Sequence, residues 1–142
     1  MRSKAPLALM EQLIMVLVFA LAAAVCIQAF VLADRRSALS DARDHAVVIS
    51  QSMAEIYKNC RGDAARASQV YGGVAEKQDW VTYWSARWEP ADGAEDAAYQ
   101  IRVAPDPRSA QPGLGRATLS ASGSDGLSYT LDLAWQEADE NG

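Results

Sequence analysis

Histidine is nearly missing from this chain and cysteine is scarce: His45 is alone, and Cys26 and Cys60 are the only thiols. Each scarcity closes a class of function. His45 has no cluster of cysteines or carboxylates around it at ligand spacing, so no metal site is expected and the side chain reads as a surface or interface group. Cys26 falls inside an apolar run and Cys60 well beyond it, too far apart along a helix to pair, so no internal disulfide is expected. Cys60 is then either a buried free thiol or a possible intermolecular cross-link. No Gly-x-Ser-x-Gly elbow presents a nucleophile and no glycine-rich loop cradles phosphate. An enzyme is therefore not expected, nor a cofactor, nor a small-molecule substrate.

Positive charge is also in deficit. The formal net charge is -5, and eleven basic residues face seventeen acidic ones once Arg2, Lys4 and Glu11 are set aside. No stripe of Lys and Arg with interleaved aromatics occurs, which argues against nucleic acid as a partner.

What the chain does have is a long apolar run. Leu13 to Ala33 carries no charge and only Gln28 as a polar interruption. As a helix it is long enough to cross about 30 Å of hydrocarbon. A core helix of a soluble protein is usually shorter and one-sided. A cleaved signal peptide is the stronger rival, because Arg2 and Lys4 form a basic start and Val31 and Ala33 sit where a signal peptidase accepts small residues. Length favours an uncleaved anchor, since signal h-regions commonly run only about 7–15 residues. Lipidation at Cys26 fits less well, because Val25 precedes it and the apolar run continues past it. Arg2 and Lys4 on one side nearly balance Arg35 and Arg36 on the other. The expected orientation, N-terminus cytoplasmic and C-terminal domain extracytoplasmic at the cell membrane, leans on the signal-like start.

From Asp34 to Cys60 there is neither Gly nor Pro, and Leu39, Ala42, Ala46, Ile49, Met53, Ile56 and Cys60 recur at steps of three and four. That spacing is one face of a helix, so a single rod from about Leu7 to Cys60 is predicted, its lower half transmembrane and its upper half amphipathic. A short second helix follows, with Asp63 as N-cap, Ala64, Ala67, Val70 and Tyr71 as its apolar side, and Gly72 and Gly73 as its end. Arg61-Gly62-Asp63 spells an integrin-binding tripeptide, but it falls where one helix stops and the next is capped, and reads as structural.

The apolar period then changes to two. Trp80, Trp84 and Trp88 share one side, as do Tyr99, Ile101 and Val103, then Ala117, Leu119 and Ala121, then Tyr129, Leu131, Leu133 and Trp135. Four half-buried strands joined by turn-rich links predict an antiparallel meander covering the helix. The tryptophans read as core rather than as an exposed sugar-stacking strip. The link from Pro105 to Pro112 is expected to be the mobile loop, because proline cannot join a ladder. The fold class is α+β: a long N-terminal helix on a small four-stranded antiparallel sheet.

This layout, with the stretch LALMEQLIMVLVFALAAA from Leu7, resembles the type IV pilins and the type II secretion pseudopilins of bacteria. In that family a short basic leader is cut before an apolar residue, and a glutamate stands fifth in the mature chain. Here the cut would fall between Pro6 and Leu7, and the glutamate is Glu11. Pro6 stands where the family has Gly or sometimes Ala, and the usual helix-bending proline inside the span is absent. The resemblance implies a leader over 1–6; the residues themselves divide the rest into a transmembrane helix over 7–33, its amphipathic continuation over 34–60, a short helix and connection over 61–79, the sheet over 80–136 and an acidic tail over 137–142. It further implies no active site, the membrane and other pilin-like subunits as partners, possible processing by a prepilin peptidase, and an assembly role for Glu11. The alternative for Glu11 is a residue among the lipid head groups beside Arg2 and Lys4. Two other readings of the whole chain stay open: a membrane-anchored extracytoplasmic domain that binds a partner through its sheet edge or proline-rich loop, and a secreted binding protein cleaved after Ala33.

Overall fold

The computed structural model describes residues 5–106 and 113–137. Most of the expected mobile loop, the first four residues of the expected leader and residues 138–142 of the tail lie outside them. The chain divides into two units, Met1–Ala38 and Leu39–Gly142.

The first unit is helical throughout its described residues. It belongs to α1, which runs Ala5–Asn59 without interruption. Pro6 is tolerated in the first turn because the amide it lacks would have no intrahelical partner there. No other proline and no glycine follows before the helix ends. From Leu7 to Leu32 its large apolar side chains are exposed, Leu7 at 71% and Phe30 at 78%. The helix is long and apolar enough to cross a membrane.

In the second unit the remainder of α1 lies against the sheet. Its buried line is Ala42, Ala46, Ser50, Met53 and Tyr57, continued by Cys60 just past the last helical residue. The predicted stripe is therefore rotated. Leu39 is exposed, and Ile49 and Ile56 sit on the flank, partly buried against the core. The reason is bulk: Tyr57 and Met53 fill the deepest positions, and Ser50 is carried inward by its place between Ala46 and Met53 on the helix face. Two positive-φ residues, Arg61 and Gly62, then turn the chain, with Arg61 N donating to Lys58 O at 2.9 Å and Gly62 N to Tyr57 O at 3.0 Å.

Helix α2, Ala64–Tyr71, starts as predicted. The Asp63 carboxylate accepts from the amides of Ala65 and Arg66 at 3.0 and 3.1 Å. Ala64 and Ala67 are buried, whereas Val70 and Tyr71, expected on the apolar side, are exposed. Gly72 and Gly73 end the helix at positive φ. At Gly73 a Cβ would run into the carbonyl of Val81, so the chain can enter the sheet there only as glycine.

The sheet has six strands where four were expected: β1 Val74–Glu76, β2 Asp79–Trp84, β3 Pro90–Ala91, β4 Tyr99–Pro105, β5 Leu114–Gly123 and β6 Ser128–Gln136. Its order is β1-β2-β4-β5-β6, with β3 also on β2, and every pairing is antiparallel. The four longer strands form the expected meander. β1 and β3 are the additions, and the sheet begins at Val74 rather than at residue 80. Trp88 is not on a strand: it has φ 60 in a turn where Ser85 N donates to Glu89 O and Trp88 N to Ser85 O.

Cross-strand register brings Trp80, Val103, Leu119 and Leu131 into one row, and Thr82, Ile101, Ala121 and Tyr129 into the next. Trp80, Ile101, Val103 and Leu119 are fully buried in one cluster with Ala46, Met53 and Tyr57 of α1. Each large side chain so buried contributes about 1.5–3 kcal/mol. The opposite face carries Arg102, Ser120, Ser122, Thr130 and Asp132, and there Arg102 bridges Asp79 at 2.9 Å and Glu76 at 3.7 Å.

Candidate functional site

Pro6, Leu7 and Glu11 lie in the first turns of α1, all exposed. Leu7, Met10, Ile14 and Met15 surround Glu11 and with it line a shallow apolar groove. The spacing explains this, since residues at i-4, i+3 and i+4 share a helix face. Among the described residues no cation forms an ion pair with Glu11. A carboxylate so placed is well hydrated in water, and in hydrocarbon it is costly unless a cation meets it.

Cys60 closes α1 from inside. Its amide donates to Ile56 O at 2.9 Å, its residue is 7% exposed, and it belongs to the core cluster. Its thiol is buried and in no disulfide within this chain. Cys26 is exposed on the apolar helix.

His45 is exposed on α1 and heads an aromatic stack that periodicity could not reveal. Its ring lies 5.6 Å from Trp88 at 18°, and Trp88 lies 4.1 Å from Tyr99 at 10°. Tyr99 in turn donates its hydroxyl to Asp125 at 3.0 Å. Burial, that hydrogen bond and the nearby charges of Asp125 and Asp41 raise the Tyr99 pKa above its ordinary value. Trp80 and Trp84 are buried, so the three tryptophans form no exposed strip.

A second set of contacts lies inside the core. Trp84 Nε1 donates to Thr82 Oγ1 at 3.0 Å, Thr82 Oγ1 donates to Met53 Sδ at 3.3 Å, and Trp80 Nε1 donates to Gly72 O at 2.9 Å. These polar groups are committed to one another and to the backbone. They pin α1, α2 and β2 together, and they offer no nucleophile with a base beside it. Next to them a hollow of about 310 Å³ is lined by Tyr71, Gly73, Thr82, Tyr83, Trp84 and Pro90. No group of three or more His, Cys, Asp or Glu side chains gathers among the described residues. Arg61-Gly62-Asp63 forms the turn and cap between the helices.

No family model, no curated protein and no solved structure matches the chain. The long apolar N-terminal helix with an antiparallel sheet on its continuation is nonetheless a pilin-like layout. Of the features above, the charge of Glu11 beside an apolar run and the place of Cys60 at the end of the helical stripe were legible from residue type and spacing, whereas Pro6 and Leu7 were singled out by the family resemblance alone. The aromatic stack and the Thr82 contacts join residues between 2 and 43 positions apart, and no local pattern signals them.

Proposed function

We propose that the chain is a pilin-like or pseudopilin-like structural subunit that inserts in the cell membrane by its apolar helix and assembles with similar subunits through it. The observation that carries this reading is Glu11 alone among exposed apolar side chains, five residues into LALME, at the start of a helix long enough to span hydrocarbon. In low dielectric its carboxylate attracts a cation of a neighbouring subunit far more strongly than it would in water, which sets the register between helices whose apolar surfaces alone would slide. The N-terminus is cytoplasmic and the Leu39–Gly142 unit extracytoplasmic in this reading. A prepilin peptidase would cut between Pro6 and Leu7.

Two measurements test it. N-terminal sequencing from membranes should find a start at Leu7; an intact start leaves a plain anchor, and a start at Asp34 removes the membrane reading. Glu11→Ala should insert normally yet lose subunit cross-linking in membranes, while Gln12→Ala retains it. If both variants cross-link like the parent, Glu11 is only a head-group residue.

A further inference from the structure

The two margins of the sheet are built differently. On one side β2 is covered by two stubs: β1, three residues, pairs along Asp79–Val81, and β3, two residues, pairs along Tyr83 and Trp84. Pro90 in β3 has no N–H to offer, and Glu76 in β1 is charged. Short, charged, proline-bearing stubs are how proteins blunt a strand edge. The other margin is β6. It runs nine residues, Ser128–Gln136, paired without interruption to β5, and contains no proline, lysine or bulge. Among the described residues nothing pairs with its other side.

An open strand edge specifies its occupant chemically, since only a second extended backbone presents N–H and C=O groups at the matching spacing. The side chains of β6 then restrict the sequence of that backbone. Tyr129, Leu131 and Trp135 point to the core side yet remain partly exposed at the margin, so an added strand would cover them with apolar residues. On the opposite face Asp132 is the only charge in β6. Its carboxylate accepts from Thr118 Oγ1 at 3.2 Å and makes no ion pair among the described residues.

Asp132 also argues against a second copy of this chain. It is the central residue of β6, so two β6 strands paired antiparallel over their full length would set Asp132 against Asp132. Like charges directly opposite are destabilising, and any other register gives up ladder bonds. We propose that the β6 edge receives an extended segment of a different protein, with a Lys or Arg level with Asp132 and apolar residues level with Leu131 and Leu133. This holds whatever the apolar helix does.

The test uses the full chain in detergent micelles and two synthetic peptides, Val-Thr-Val-Lys-Val-Thr-Val and its counterpart with Asp in place of Lys. The lysine peptide should bind roughly tenfold more tightly than the aspartate peptide, as opposite against like cross-strand charge allows. Bound peptide should slow exchange of alternate β6 amides, those turned away from β5. In Asp132→Lys, whose altered side chain is exposed, the preference should reverse. Equal binding of the two peptides, protection elsewhere than β6, or no reversal would each overturn the proposal. So would protection of the same amides by self-association of the chain without peptide, which would make a second copy the occupant.

Discussion

The indole of Trp135 lies over Gly115, its cross-strand partner, in the space where any Cβ on that residue would have to go. The same ring reaches Gly62 and meets Tyr57 edge-on at 5.6 Å and 90°. One side chain of the marginal strand thus ties β5, the turn after α1 and the end of α1 together. Gly115→Ala forces the indole out of this place. The variant should lose about 1–3 kcal/mol, the usual cost of overpacking, seen as a lower unfolding midpoint of the full chain in micelles.

The rotated stripe on α1 makes a comparison possible. Met53 is fully buried and Ile49 lies on the flank. Met53→Ala should cost about 2–5 kcal/mol, and Ile49→Ala clearly less, in the same unfolding measurement. Equal losses would place Ile49 as deep as Met53.

Asp63 satisfies two orphan amides at the start of α2, while Val70 near its end is exposed. Asp63→Ala should therefore destabilise by about 0.5–2 kcal/mol. Val70→Ala should change stability by less than about 0.5 kcal/mol. Amide exchange of Ala65 and Arg66 should quicken in the first variant only.

Burial, with the charges of Asp79 and Asp63 adding to it, holds the Tyr57 phenol neutral to higher pH than usual. Its folded pKa is thus above its unfolded value of about 10. Below that value the stability linked to the proton is fully present. Above it the unfolded chain ionises first, so stability falls as pH rises through the folded pKa. Tyr57→Phe should make the alkaline decline shallower, with Tyr71 and Tyr99, also raised, accounting for what remains. An unchanged alkaline profile in Tyr57→Phe would show that the phenol is not the group responsible.

Several features of this protein follow from the sequence by itself, because their causes are local. The absence of Gly and Pro from Leu7 to Cys60 dictates one uninterrupted helix, and Asp63 three residues later dictates where the next begins. Alternation at Tyr99 to Val103, Ala117 to Ala121 and Tyr129 to Trp135 marks three strands and the face each one buries. Glu11 in its apolar setting was equally visible.

Tertiary structure decided the rest. β1 and β3 are too short to carry a period, and they are strands only because β2 has an outer row of amides and carbonyls to satisfy. Trp88 continues the spacing of Trp80 and Trp84, yet the Ser85 turn takes it off the strand and into a stack with Tyr99 and His45. Ser50 and Tyr57 displaced Ile49 and Ile56 from the centre of the α1 stripe because packing volume, not hydrophobicity alone, chooses the buried face. The open edge of β6 belongs to the same class: a strand is marginal only with respect to what else pairs with it, which no stretch of its own residues records.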